Sequence, residues 1–232
     1  MLLRATFAAL IDLVLPRACA GCGRAGLPLC SACLPAEAPL HSWSGGTDVC
    51  AAGAYEGSLR SALIAYKERG RHELSGPLGA LLARAVSSAA WPPDAVLVPV
   101  PSSSAAARAR GGDHVLRLAS VAGRGCGLPV VRALSLGRAV ADSSGLSRAD
   151  RAANLRGAMT ARPPPSRAGT AVIVDDIVTT GATVREARRA LMGAGWSVCG
   201  AATVAATPRH AARPLPMARR DGAVYRGHDL TE

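Results

Sequence analysis

Aromatic residues are scarce in this chain. Phenylalanine, tyrosine and tryptophan make up 3% of its 232 residues, although 49% of the residues are hydrophobic. Alanine, valine and leucine must therefore fill most of the core, and the length suits one main domain with an appendage. The scarcity also disfavours a protein that binds single-stranded nucleic acid chiefly by stacking bases on aromatic rings.

Lysine and acidic residues are few as well. Lys67 is the only lysine, so the 27 basic side chains are almost all arginine, and the 16 acidic side chains leave a net charge of +11. The charge is concentrated in residues 101–167, where eleven arginines stand against Asp113, Asp142 and Asp150. Such a segment either meets an anionic partner, such as pyrophosphate or nucleic acid, or stays solvated.

No hydrophobic run is long enough to span a membrane. Arg4 and Asp12 interrupt the apolar residues 1–15, and Pro16 and Arg17 do not suit a lipoprotein cleavage site. The apolar residues recur at helical spacing, which predicts an amphipathic helix that docks on the protein. We therefore expect a cytoplasmic protein with no membrane insertion.

The familiar glycine-rich phosphate-binding motifs are missing. The chain has no G-x-x-x-x-G-K-[ST], and Gly123, Gly125 and Gly127 do not have the G-x-G-x-x-G spacing. Residues 172–183 instead read VIVDDIVTTGAT. This pattern predicts an apolar strand that ends in two carboxylates, followed by a hydroxyl-rich turn that opens a helix near Val184.

This strand, turn and helix can hold a ribose phosphate. Carboxylates at a strand exit can accept hydrogen bonds from a sugar diol or ligate a hydrated Mg²⁺. The turn adds N–H groups, hydroxyls and the positive end of a helix, which favour a phosphate dianion. A purely structural strand exit with a capped helix is the alternative, but it would not require this combination in one loop. The predicted site consists of Asp175, Asp176, Thr179, Thr180, Gly181, Ala182 and Thr183.

Four of the seven cysteines form two C-x-x-C pairs. The pairs are Cys19 with Cys22 and Cys30 with Cys33, and seven residues separate them. Two such turns allow four thiolates to converge on one tetrahedral zinc ion, which would have no open position and would therefore be structural. Two disulfides are the alternative in an oxidising compartment. We expect the zinc site, since nothing else in the sequence indicates export.

Strand and helix patterns alternate along the chain. This order predicts an α/β fold with a mostly parallel sheet, whose ligands collect at the carboxyl ends of strands. The sequence divides into a helix and zinc-binding module (1–48), a sheet domain (49–206) and a mobile basic tail (207–232). Helices are predicted at 58–68, 74–90, 113–124 and 148–155. Strands are predicted at 49–55, 95–100, 130–134 and 198–205, besides the one that ends at Asp175.

Residues 172–183 resemble the phosphoribosyl-pyrophosphate (PRPP) motif of type I phosphoribosyltransferases, in which two acidic residues follow a hydrophobic strand and a Thr/Ser/Gly loop ends in Gly-x-Thr. A cysteine module before such a domain resembles the ComF-type family, and this likeness covers residues 16–205. Further segments carry it, namely Tyr66, Lys67 and Gly70; residues 99–101 with Arg108, Arg110, Gly111, Asp113 and His114; and residues 145–148 with Asp150, Arg151, Asn154 and Leu155.

The resemblance implies the type I phosphoribosyltransferase fold and a site for PRPP with Mg²⁺. Asp175 and Asp176 would hold the ribose hydroxyls, and residues 179–183 the 5-phosphate. The candidates for the pyrophosphate and for the loop over the site are Ser102, Arg108, Arg110, Gly111, Lys67, Arg148 and Arg151. For Lys67 and the arginines, a solvated surface cation is the alternative. His114, near a helix start, is expected to make a local hydrogen bond rather than to act as a base.

Three functions fit the resemblance. A transferase would pass the phosphoribosyl group to a nitrogenous acceptor and release pyrophosphate. ComF-type proteins are associated with natural transformation, so the alternative is a protein that uses the fold mainly to bind single-stranded DNA, through salt-sensitive phosphate contacts. The third function is that of a regulatory PRPP sensor, in which binding changes a contact with a partner.

Overall fold

Strands and helices alternate along the chain, as the sequence predicts. The computed structural model describes residues 18–102, 112–137, 157–165 and 169–207. The strands in these ranges are β1 (Leu40–Ser44), β2 (Thr47–Ala54), β3 (Ala95–Pro99), β4 (Leu134–Leu136), β5 (Met159–Ala161), β6 (Thr170–Val178) and β7 (Ser197–Ala206). The α-helices are α1 (Gly57–Glu68), α2 (Ser75–Val86), α3 (His114–Cys126) and α4 (Ala182–Gly193), and short 3₁₀ turns lie at Ser31–Cys33 and His72–Leu74.

Five of the strands form one sheet in the order β1-β2-β7-β6-β3. β1 is antiparallel to β2, whereas β2, β7, β6 and β3 run parallel to their neighbours. The parallel strands are rich in apolar residues, because helices cover a parallel sheet on both faces. β4 and β5 form a separate antiparallel pair. The structure therefore confirms an α/β fold with a mostly parallel sheet.

The two faces of the sheet bury separate groups of side chains. Successive residues of a strand point to opposite faces. Val172 and Val174 of β6 accordingly pack in the same cluster as α1, α2 and α3, whereas Ala171 and Ile173 pack with α4. Leu29 and two of the cysteines of the N-terminal module belong to the first cluster. The module and the sheet therefore share one core.

The second helix is shorter than its sequence predicts. The prediction runs over residues 74–90, whereas α2 ends at Val86. There the Ser88 hydroxyl donates to the carbonyl of Ala85 at 2.8 Å, and the Trp91 indole N–H donates to the carbonyl of Val86 at 2.7 Å. Side chains thus satisfy the last carbonyls of the helix, which ends although the sequence remains rich in alanine.

Three strands also differ from the prediction. In place of a strand at 130–134, Val130 makes a single bridge to Leu97, and β4 begins only at Leu134. The sequence does not predict β1 or β5, because both are short and neither is a continuous apolar run. β1 pairs with β2 along its whole length, so residue 48, where the sequence divides module from domain, lies inside the sheet.

Several predicted segments lie outside the described residues. They are the amino-terminal helix (1–15), the helix at 148–155 and the tail (207–232) apart from Thr207. In the part of the chain that is described, no helix combines the length and the apolar character needed to cross a bilayer.

Candidate functional site

β6 does not end at its two aspartates. The sequence predicts the strand exit at Asp175, but Ile177 and Val178 continue the pairing with β7 opposite Ala205 and Ala206. β-branched side chains such as these favour an extended strand, and here they find a partner strand to pair with. The carboxylates therefore belong to the last part of the strand itself, where Asp175 and Asp176 are 8% and 3% exposed.

The two aspartates point to opposite faces of the sheet, because neighbouring strand residues alternate. Asp176 lies on the face of α1 and α3. Its Oδ2 is 2.7 Å from Lys67 Nζ and 2.8 Å from His114 Nε2. An ionised carboxylate can only accept hydrogen bonds, so Nε2 of His114 carries the hydrogen. Asp175 lies on the other face, where its Oδ1 accepts the N–H of Asp176 at 2.8 Å.

These surroundings move the two carboxyl pKa values in opposite directions. Burial raises the pKa of Asp175 well above its ordinary value, and the charge of Asp176 raises it further, although Lys67 and the N–H of Asp176 oppose this. Burial would raise the pKa of Asp176 as well. There, however, the hydrogen bond from His114 and the charge of Lys67 prevail and hold the pKa well below its usual range.

Ser102 and His114 extend the polar network from Asp176 toward β3. Asp113 caps α3 by accepting the N–H groups of Val115 and Leu116 at 3.1 and 3.2 Å. Ser102 Oγ lies 2.9 Å from Nδ1 of His114 and 3.3 Å from Oδ1 of Asp113. The helix cap thus fixes Ser102 beside the histidine that contacts Asp176.

The threonine turn opens α4, whose first residue is Ala182. The first turn of an α-helix presents N–H groups that have no acceptor within the helix. A recess of about 20 Å³ lies there, next to the aspartates. It is lined by Ile177, Val178, Thr179, Gly181, Ala182, Thr183 and Val184. The turn therefore has the N–H groups, the hydroxyls and the helix end that a phosphate group requires.

A larger cleft of about 450 Å³ connects the turn with the aspartates. Its walls come from the carboxyl ends of β2, β3 and β6 and from the facing residues of α1 and α3, as expected for a parallel sheet. The lining residues are Tyr55, Lys67, Val100, Pro101, Ser102, His114, Val115, Asp175, Asp176, Ile177, Thr179 and Thr183.

The cleft brings together most of those predicted site residues that lie within the described ranges. Asp175, Asp176, Thr179, Thr183, Lys67 and Ser102 line it, and Gly181 and Ala182 line the adjoining recess. Thr180 is exposed in the same turn, where its Oγ1 accepts the N–H of Ala182 at 3.4 Å. Arg108, Arg110, Gly111, Arg148 and Arg151 lie outside the described residues.

Tyr55 is a wall residue that the sequence does not single out. It follows β2 directly and lines the cleft. The rule that ligands bind at the carboxyl ends of parallel strands applies equally to the strand predicted at 49–55. Applying the rule to Tyr55 would have required the order of the strands in the sheet, which the sequence does not predict.

Gly181 is required at the turn for two reasons. Its φ is 70°, which favours glycine, and a Cβ there would meet the Ser44 hydroxyl and the backbone nitrogen of Gly45. The β1–β2 turn therefore packs directly on the start of α4. We expect Gly181→Ala to lower the free energy of unfolding by about 2–3 kcal/mol, the sum of a strained backbone and overpacking.

Gly193, at the other end of α4, provides the matched control. A Cβ there would meet nothing within 4 Å. Gly193→Ala should raise the free energy of unfolding by about 0.5 kcal/mol, since alanine reduces the entropy of the unfolded chain. Urea unfolding measures both variants, and equal effects would contradict the packing of the β1–β2 turn on the helix start.

The four predicted cysteine ligands form one cluster. Their sulfur atoms all lie within 4.8 Å of one another, with Cys19 Sγ 3.6 Å and Cys22 Sγ 3.7 Å from Cys30 Sγ. Tetrahedral zinc with bonds of about 2.3 Å places its sulfur ligands about 3.8 Å apart. A disulfide would need about 2.05 Å, and all four cysteines are free. The cluster can therefore hold a zinc ion.

Backbone groups and packing fix the cluster. The N–H groups of Gly21 and Cys30 donate to Cys19 Sγ at 3.4 and 3.3 Å. Burial would raise the pKa of the Cys19 thiol, but N–H groups around it lower that pKa to about 6. A Cβ on Gly21 would meet Cys33 and Ser58 of α1, so the module packs closely on the helix beside the cleft.

Comparison with models of known protein families gives no match for this chain, and comparison with curated protein sequences gives none either.

Proposed function

We propose that the protein binds PRPP together with Mg²⁺ in the cleft, in a domain of the type I phosphoribosyltransferase kind that a ComF-type zinc module covers. The observation that carries the proposal is the joining of two features in one cleft. The buried carboxylate pair and the threonine turn are adjacent, as a ligand with a diol at C2 and C3 and a phosphate at C5 of one ribose would require.

Each part of PRPP has a chemically suited partner. The 5-phosphate suits the recess at the start of α4, whose N–H groups and hydroxyls are donors. Asp175 and Asp176 suit the ribose hydroxyls, since carboxylates are acceptors. Ser102 and Lys67, on the wall nearer α1 and α3, are donors for the pyrophosphate. Mg²⁺ bound with PRPP would neutralise charge on the pyrophosphate.

With a nitrogenous acceptor, this arrangement would support phosphoribosyl transfer. The bond between C1 of the ribose and the pyrophosphate oxygen breaks, a bond between C1 and the acceptor nitrogen forms, and the acceptor loses a proton. The protein would contribute by holding the reactants and by stabilising the negative charge of the departing pyrophosphate. Lys67 and Ser102 would serve that second task.

The cysteine cluster would have a structural role in this proposal. Four sulfur ligands leave zinc no open position for a substrate. Cys19 and Cys33 are buried in the core cluster that also contains residues of α1. Zinc would therefore hold the module against the helix that carries Lys67.

Calorimetric titration with PRPP and Mg²⁺ tests the proposal. We expect saturable binding by the natural protein and at least a 100-fold loss of affinity in Asp175→Asn, because the amide cannot supply a carboxylate to the site for the sugar and metal. Asp94→Asn is the matched control. Asp94 directly precedes β3, at the amino ends of the strands and thus away from the cleft. There it accepts a hydrogen bond from the Thr170 hydroxyl at 2.8 Å, and an asparagine oxygen can accept the same bond.

The result for the control separates a site effect from a general effect of charge. Unchanged affinity in Asp94→Asn, with loss in Asp175→Asn, supports the site. No binding of PRPP by the natural protein would overturn the proposal. If single-stranded oligonucleotides were then bound with a steep dependence on salt, the DNA-binding alternative would take its place.

A further inference from the structure

Ser102, His114 and Asp176 form one chain of hydrogen bonds on the wall of the cleft. Ser102 Oγ lies 2.9 Å from Nδ1 of His114, and Nε2 of the same ring lies 2.8 Å from Oδ2 of Asp176. Ser102 follows β3, His114 opens α3 and Asp176 belongs to β6, so the fold brings the three together. A hydroxyl, an imidazole and a carboxylate in this order are the groups of a serine nucleophile that histidine activates.

Asp176 determines which nitrogen of the histidine ring carries the hydrogen. Both side chains are buried, and Lys67 Nζ lies 2.7 Å from the same carboxylate oxygen. A carboxylate only accepts hydrogen bonds, so Nε2 of His114 donates to it and Nδ1 of the neutral ring has a lone pair. The Ser102 hydroxyl can therefore donate to Nδ1. Oδ1 of Asp113 is a more distant acceptor for that hydroxyl, at 3.3 Å, and already accepts two N–H groups of the α3 cap.

The two groups that would react face the cleft. Ser102 is partly exposed, and it lines the cleft of about 450 Å³ together with His114. A cleft of this volume suits a small molecule. Among the described residues that line it, Lys67 is the one lysine or arginine. An ammonium group on this wall can stabilise the negative charge that develops on a carbonyl oxygen under attack.

We infer that Ser102 is a nucleophile that His114 activates for attack on a small carboxylic ester. Oγ of Ser102 forms a bond to the carbonyl carbon while its hydrogen passes to Nδ1 of His114. The bond from that carbon to the alcohol oxygen then breaks, and the departing oxygen takes the hydrogen from Nδ1. Water attacks the acyl group in the same manner, which gives the carboxylic acid and restores the serine. This ester hydrolysis goes beyond phosphoribosyl transfer, although both would use the same cleft.

Labelling with diisopropyl fluorophosphate tests the nucleophile, because this reagent phosphorylates an activated serine hydroxyl and releases fluoride. We expect a single label, located at Ser102 by peptide mass spectrometry. General-base activation should make the reaction at least about 100-fold faster than in protein unfolded in urea. His114→Gln should lose this acceleration, since a glutamine amide can donate to Asp176 but cannot take the serine proton. Asp176→Asn should lower the maximal labelling rate without changing the reagent concentration at half-maximal rate.

Hydrolysis of p-nitrophenyl acetate tests the ester. The turnover rate should fall about 100-fold in Ser102→Ala and stay unchanged in Ser120→Ala. Ser120 is the matched control because it is a partly buried serine of α3 outside the cleft lining, whose hydroxyl donates to the carbonyl of Leu116 at 2.8 Å. Urea unfolding of Ser102→Ala should resemble that of the natural protein, which would show that the variant is folded.

Labelling of Ser102 that is no faster in the folded than in the unfolded protein would overturn the inference. Ester hydrolysis that survives in Ser102→Ala, or an acetyl group found on Lys67 or a cysteine in place of Ser102, would overturn it too. Titration with PRPP separates these results from the proposed function. Binding of PRPP without rapid labelling refutes the nucleophile alone, whereas rapid labelling without binding of PRPP refutes the proposed function alone.

Discussion

Replacing Asp176 with asparagine is expected to lower the free energy of unfolding by about 3 kcal/mol, because it removes the buried anion that Lys67 and His114 both contact. Lys67 and His114 both contact one oxygen of this carboxylate, at 2.7 and 2.8 Å. The Lys67 side chain is 28% exposed, so solvent will moderate the loss. The effect should nevertheless exceed that of any conservative surface substitution.

Replacing Asp175 with asparagine should change the free energy of unfolding in the opposite direction. Burial and the neighbouring carboxylate of Asp176 together raise the pKa of Asp175. Asparagine has nearly the same shape and its oxygen can still accept the N–H of Asp176. Asp175→Asn should therefore raise the free energy of unfolding at neutral pH by about 1 kcal/mol, by removing a buried group that resists ionisation. A gain in stability with a loss of PRPP affinity would mark Asp175 as a functional residue.

The pH dependence of the stability of the two variants follows from the opposite shifts of the two carboxyl pKa values. The folded pKa of Asp176 lies below its ordinary value of 3.8, so the stability it contributes is present above that pH and is lost as the pH falls toward the folded pKa. Asp176→Asn should thus lose less stability in acid than the natural protein. The folded pKa of Asp175 lies above 3.8, so the gain in Asp175→Asn should grow as the pH rises from 4 and vanish in stronger acid.

Urea unfolding of both variants at several pH values between 3 and 8 measures these differences. Asp94→Asn, far from the cleft, controls for the general loss of one negative charge. Equal changes of the free energy of unfolding in Asp175→Asn and Asp176→Asn would contradict the opposite pKa shifts of the two carboxyl groups.

Removal of zinc is expected to cause the second large change, a fall of the melting temperature. Structural zinc contributes about 10–16 kcal/mol to folding in isolated zinc-finger peptides. Even a third of that free energy would lower the melting temperature of a chain of this size by about 10 °C. We expect a shift of this size when a chelator is added, because Cys19, Leu29 and Cys33 belong to the main core and the loss of the module exposes it.

Single cysteine variants identify the ligands. Cys22 is exposed, so Cys22→Ser should cost little packing and yet reduce the zinc content of protein purified under reducing conditions well below one ion per chain. Cys126→Ser is the control, since Cys126 donates to the carbonyl of Ala122 at 2.9 Å and a serine hydroxyl can replace it. A folded natural protein that contains no zinc, and whose melting temperature a chelator does not change, would refute the assignment.

Much of the fold follows from local sequence. The helix at 58–68 and the strands at 49–55, 95–100 and 198–205 agree with α1, β2, β3 and β7 to within two residues. Periodicity and caps determine such elements, and both are properties of neighbouring residues. β1 could not be predicted in this way. Its sequence LHSWS has no clear period, and it is a strand because β2 pairs with it.

The candidate site divides in the same way. The sequence by itself determined that two acidic residues precede a threonine turn at a helix start, and that two C-x-x-C pairs can converge on one metal. The tertiary structure alone decided that Lys67 and His114 both contact Asp176, although His114 is 62 residues away in the chain, and that Tyr55 completes the cleft wall. A short motif carries its geometry in its own backbone, whereas the partners of a buried charge depend on which distant strands and helices pack together.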